Sequence, residues 1–181
     1  MTRIPYLRPE DMNDRARELT QERGNLNLYR VLANAEKVFN GWMVAGRDGL
    51  ISPTLPRRLR ELVVLRTGYL MDSPYEVGQH VDIAPTAGVA IDEIDAIASD
   101  DDWRTSTFDD VELALLQLTT ELVTTRGVAE PVFASVHEAL GTEATVEVLM
   151  IISRYAGLAL MLNALQVDLD ETARLPNLRR D

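Results

Sequence analysis

Glu61, Glu76 and His80 are the residues whose types and spacing could do chemistry. Glu76 and His80 stand four apart in SPYEVGQH (73–80), so on a helix they share one face. An imidazole with an ordinary pKa near ~6.5 and two carboxyl groups form a proton relay if they converge. His80 would be its general acid or base, Glu61 the partner that orients the ring, and Glu76 a second carboxyl. The same stretch also has a purely structural reading. Ser73, Pro74 and Glu76 suit the N-cap, first and third positions of a helix, and S-x-x-E spells a capping box worth about 0.5–2 kcal/mol. Burial separates the two readings. A helix N-terminus favours the Glu76 anion by only about 0.3–1 kcal/mol, whereas an apolar cleft favours the neutral acid by more. Glu76 is an acid if dry and a cap if wet.

The elements that must position these groups read as helices. Leu28, Val31, Leu32, Ala35, Val38, Phe39, Trp42 and Met43 recur at steps of three and four, which predicts one long amphipathic helix ending near Gly46–Gly49. Pro56 introduces a second helix, RRLRELVVLRTGYLM. Thr107 precedes another, with acids in its first turn and Gly127 past its end. Thr142 opens an apolar helix whose stretch VLMIISRYAGLALMLNAL (148–165) is interrupted by Ser153 and Arg154. That interruption argues against a membrane span, and apolar residues on nearly all sides demand several packing neighbours. No stretch alternates with period two, so the expected fold is all-α. Its expected divisions are an arm over 1–24 (a short helix or an extension over a neighbour), one helical domain over 25–166, and a loose polar tail over 167–181.

Composition narrows the function. The 181 residues fit one domain, and 46% hydrophobic with 26% charged residues suits a packed core. A net charge of −11 disfavours nucleic acid and anionic membrane as partners. The absence of cysteine removes disulfides, thiolate metal sites and thiol redox chemistry. The first residues lack the apolar core of a signal peptide, so a cytoplasmic location is expected. No H-x-x-x-H or H-E-x-x-H spacing occurs, and neither a metal nor a cofactor is expected.

Other polar residues have plainer readings. His137 belongs to a charged helix surface, and Asp100–Asp102 to a solvated turn. Arg57, Arg58, Arg60 and Arg66 share a helix with Glu61; one could receive a substrate carboxylate, while ion pairs occupy the others. Ser73, Tyr75, Trp42 and Tyr155 are candidate substrate-binding residues, and Tyr69 is a further candidate wall; aromatics at helical spacing also serve as core.

The run RLRELVVLRTGYLMDSPYEVGQHVDIAPTAGVAIDEIDAIA (58–98) resembles the carboxymuconolactone decarboxylase and alkylhydroperoxidase D-like family. Glu61, Ser73, Glu76, His80 and Gly88 occupy the family's motif places, and TTELVTTRGV (119–128) and LNAL (162–165) extend the likeness over about 55–166. The resemblance implies an alkylhydroperoxidase D-like helical domain in a symmetric homo-oligomer, a trimer or hexamer, with the site near a subunit interface. In the peroxidase branch both Ser73 and Glu76 would be cysteines, a thiol pair at a helix N-terminus. Their replacement points to the decarboxylase-like branch: a cofactor-independent lyase or isomerase using His80, Glu61 and Glu76 on a small lactone, organic acid or secondary metabolite. The alternatives are a non-catalytic helical ligand-binding or assembly protein, and a thiol-free peroxidase relative using an external reductant.

Overall fold

The computed structural model describes residues 2–105 and 107–171, and among them every regular element is helical. The α-helices are α1 (Asp14–Gln21), α2 (Asn27–Leu32), α3 (Glu36–Ile51), α4 (Arg57–Leu70), α5 (Pro74–Ile83), α6 (Ile91–Ala98), α7 (Asp110–Thr125) and α8 (Glu130–Leu165). Turns and short 3-10 segments join them.

α4 is the axis of the fold. Every residue from Arg60 to Gly68 is buried, and the helix packs against α5, α6, α7 and α8. Val63 and Val64 join Leu115 and Leu118 of α7 and Val148 and Ile152 of α8. Leu62 and Leu65 pack instead with Ala84, Ile94, Ile97, Trp103 and Leu116. Each fully buried aliphatic side chain contributes about 1.5–3 kcal/mol, so stability concentrates along this helix. Its polar residues consequently need partners. Arg58 forks between Glu93 at 2.7 Å and Glu112 at 2.6 Å, tying α4 to the starts of α6 and α7. Arg66 reaches the Thr120 hydroxyl at 2.9 Å and the Ile97 carbonyl at 2.8 Å.

The single helix expected from Leu28 to Gly46–Gly49 is two. It breaks at residues 33–35, where the Asn34 side-chain amide donates to the carbonyls of Val31 (2.9 Å) and Pro5 (3.0 Å). An asparagine bonding nearby backbone competes with the helix ladder. The glycines do not stop α3, which runs on to Ile51. α7 begins on an Asp109–Glu112 capping box rather than on Thr107. In α8, Gly141 has φ 75° and ψ 174°, a conformation that glycine alone adopts without strain, and the bend there makes Thr142 the start of a second arm.

By length and composition alone α8 could cross a membrane, with mean hydropathy 1.7 over its most apolar window, so Ser153 and Arg154 do not disqualify it on that test. In this fold it lies along α4 and α7, and the Ser153 hydroxyl donates to the Leu149 carbonyl at 2.7 Å.

Both ends of the described chain fold onto the body. α1 packs on α3 through Ala16, Leu19, Phe39 and Met43. The backbone N–H of Arg3 donates to the Leu165 carbonyl at 2.8 Å. Asp170 accepts from the Asn27 amide at 2.9 Å, from the Gln79 side chain at 3.1 Å and from the Tyr75 hydroxyl. The stretch up to Asp170 is therefore fastened rather than loose, because the Asp170 carboxylate meets donors from α2 and α5. Residues 172–181 of the expected tail lie outside the described residues.

Candidate active site

Glu61 and His80 are brought together by a tight elbow between α4 and α5. Asp72 turns the chain in the left-handed region (φ 47°), and the Asn163 side chain donates to the carbonyls of Met71 and Asp72. Gly68 lets the helices close up, since a Cβ there would stand 3.1 Å from the Val77 side chain. α5 then presents Glu76 and His80, one turn apart, toward Glu61 of α4 and toward α8.

His80 sits between the two carboxyl groups. Its Nδ1 is 2.7 Å from Glu61 Oε2, and its Nε2 is 4.0 Å from Glu76 Oε2. All three side chains are buried. The Tyr155 ring meets the imidazole edge-on, centroids 5.3 Å apart at 82°. Burial opposes the imidazolium, but the Glu61 hydrogen bond and charge, aided by Glu76, outweigh it and raise the His80 pKa. Burial pushes Glu76 up to about 7, although the charges of His80 and Arg154 pull the other way. The two groups face each other at 4.0 Å, so the charge of each acts on the titration of the other.

The capping box at Ser73 does not form. The Ser73 amide donates to the Gly68 carbonyl at 3.0 Å, and its hydroxyl is buried without a partner among the described residues. Glu76 is only 4% exposed and turned toward His80, so its carboxyl is withdrawn from the helix end. Ser73, expected at the substrate, is not among the residues that line the cavity.

That cavity encloses about 460 Å³. Glu61, Glu76, His80, Tyr75, Trp42 and Tyr155 line it, together with Leu28, Tyr29 and Leu158. Arg57 and Arg60 line it as well, whereas Arg58 and Arg66 are engaged elsewhere. Tyr69 belongs to the apolar cluster around Trp103. His137 is exposed, 3.0 Å from the Thr142 hydroxyl and stacked on Phe133. Among the described residues no group of three or more His, Asp or Glu is arranged to hold a metal; the two carboxyls lie toward opposite nitrogens of one ring.

Arg154 lines the cavity and was missed in the sequence as a functional residue. Its guanidinium lies 3.9 Å from the Trp42 ring centre and its Nη1 donates to the Trp42 carbonyl at 3.1 Å. Burial lowers its pKa. The available signal was a cation inside an eighteen-residue apolar run, taken there only as an interruption.

The carboxymuconolactone decarboxylase family model matches residues 37–121, which hold Glu61, Glu76 and His80. This segment is similar to that family. The fold is shared more widely. The alkylhydroperoxidase D core, an uncharacterised peroxidase-related protein from Ralstonia eutropha JMP134, is 18% identical with TM-score 0.81 over 94% of this chain and 93% of its own. A putative antioxidant-defence protein of the same type from Agrobacterium tumefaciens is 18% identical with TM-score 0.70 over 77% and 94%. A debrominase in complex with 2,3,4-tribromopyrrole is 15% identical with TM-score 0.79 over 94% and 93%. At such identities the likeness establishes the fold alone. No curated protein matches the chain in sequence.

Proposed function

We propose that the cavity is the active site of a cofactor-independent acid–base enzyme. It would act on a small lactone, organic acid or secondary metabolite by decarboxylation, isomerisation, or ring opening or closure. The carrying observation is His80 buried between Glu61 at 2.7 Å and Glu76 at 4.0 Å. Glu61 accepts from Nδ1–H, which fixes the tautomer and turns Nε2 toward Glu76. Nε2 and the Glu76 carboxyl would then exchange one proton with a substrate in the cavity that faces both of them. Burial brings Glu76 up to about 7, near the pH at which a general acid–base group is most effective. Peroxide reduction by the chain's own thiols is closed, since there is no cysteine.

The test is hydrogen–deuterium exchange in D₂O on a panel of lactones and small organic acids, followed by NMR. Wild-type protein is expected to wash deuterium into at least one panel member, and His80→Gln to abolish the exchange. Panel members that bind without exchange or turnover would overturn the enzyme reading in favour of a ligand-binding protein.

A further inference from the structure

We infer that the substrate carries a carboxylate and that Arg60 receives it; the inference rests on the cavity being the substrate site. Arg60 is 4% exposed, yet its Nε and Nη1 have no hydrogen-bond partner among the described residues. A buried guanidinium without a counter-ion is costly, and proteins normally pair such a charge. The other buried or half-buried arginines of α4 show this. Arg58 is held by two glutamates, and Arg66 by a hydroxyl and backbone carbonyls. Arg60 has no such arrangement, because its sequence neighbour Glu61 is engaged by His80.

Two observations place the unpaired charge at the reacting groups. Arg60 lines the cavity, and its charge acts to lower the His80 pKa. The cavity as a whole is also basic in an acidic protein. Arg23, Arg57, Arg60 and Arg154 line it against only Glu61 and Glu76, while the chain carries −11. Clefts lined by one sign of charge focus their field and concentrate the opposite ion. A carboxylate suits the buried Arg60 guanidinium in shape and charge. A phosphate dianion would bring a second negative charge beside Glu61 and Glu76.

The assignment narrows the chemistry. A carboxylate held by Arg60 is an anchor and not the leaving group, because loss of CO₂ requires its charge to flow away from the cation. The bond that changes lies on the carbon skeleton that the anchor presents to His80 and Glu76. If CO₂ is lost, it comes from a second carboxylate.

The probes are benzoate and cyclohexanecarboxylate, their neutral amides, and inorganic phosphate, titrated by calorimetry at neutral pH. A hydrogen-bonded charge pair predicts carboxylates binding about ten- to a hundredfold more tightly than the amides. Arg60→Met should erase that preference and leave amide binding unchanged, while the exposed Arg15→Gln keeps it. Wild-type protein supplies a second readout that does not depend on the variant folding. Benzoate should raise the His80 pKa measured by NMR, since it neutralises the charge that depresses it, and benzamide should not. Equal binding of acids and amides, preference for phosphate, or an unmoved His80 pKa would overturn the assignment. Carboxylate selectivity without exchange would sink the enzyme reading alone. Exchange on neutral lactones untouched by Arg60→Met would sink this one alone.

Discussion

Arg154 lies across Gly46 so closely that a Cβ at residue 46 would stand 2.9 Å from its Nε and nearer still to Cζ and Nη2. One turn earlier on α3, Trp42 supplies the ring and the carbonyl that hold the same guanidinium. A side chain missing from α3 thus makes the seat for a charged one from α8.

Gly46→Ala should therefore unseat Arg154 without unfolding the protein. Alanine in a helix gains about 1 kcal/mol over glycine, and loss of the stacked cation costs about 0.5–2 kcal/mol. The displaced atoms are the far end of a flexible side chain, so the melting temperature should move little. The fluorescence of Trp42 should change as the cation leaves. An emission spectrum identical to the parent's would sink this account of Gly46.

Stability should fall as pH rises through neutrality, and Glu76 should be the main cause. Its folded pKa of about 7 exceeds the ordinary 4.5, so this contribution is fully present below about 4.5 and is lost as pH rises to about 7. His80 acts with the same sign. Its raised folded pKa stabilises fully below the unfolded value near ~6.5, and that contribution disappears as pH passes the folded value. Urea unfolding should show Glu76→Gln more stable than the parent at pH 8, by about 3 kcal/mol at most, and much closer to it at pH 5. A variant weaker than the parent at pH 8 would restore the capping reading.

Glu61→Gln should lower the His80 pKa, since burial opposes the imidazolium and the carboxylate that outweighs it is gone. NMR titration of the ring would show the shift. Turnover should fall about 10²–10⁴-fold in Glu61→Gln and in His80→Gln alike. Both variants should also lose stability, because each removes one partner of a buried pair. An unshifted imidazole in Glu61→Gln would mean that the contact does not govern His80.

Ser73→Ala should be neutral or stabilising. The hydroxyl is buried with no partner among the described residues, so removing it relieves a desolvated group. A working cap would instead lose about 0.5–2 kcal/mol on that change. Thermal melts separate the two signs.

Self-association is the remaining expectation. Val146, Met150 and Leu160 fall on one side of α8 and are 49%, 66% and 62% exposed. Met150 also borders an open groove of about 500 Å³ between α3 and α8. A second copy of the chain would cover this face in a symmetric trimer or hexamer. Sedimentation of the parent should give that mass, and Met150→Lys should reduce it. A monomer at micromolar parent protein would refute the assembly.

The all-α fold was legible in the sequence because helices are written locally, in steps of three and four, acids at starts and glycine past ends. The same local code put Glu76 and His80 on one face, and the family likeness added Glu61. Local code also misled where a side chain chose a distant partner. Asn34 broke a continuous apolar period by bonding Pro5 and Val31. Glu76 left a well-spelled capping box for His80 and a buried position on the cavity wall, because the α4–α5 elbow turned it inward. Arg60 is one letter in the sequence, indistinguishable there from Arg58 and Arg66. Which arginine is saturated and which is buried without a partner depends on the helices that surround it. Spacing along a chain fixes the face a residue occupies; only the packing of those faces fixes its solvent, its counter-charge and hence its chemistry.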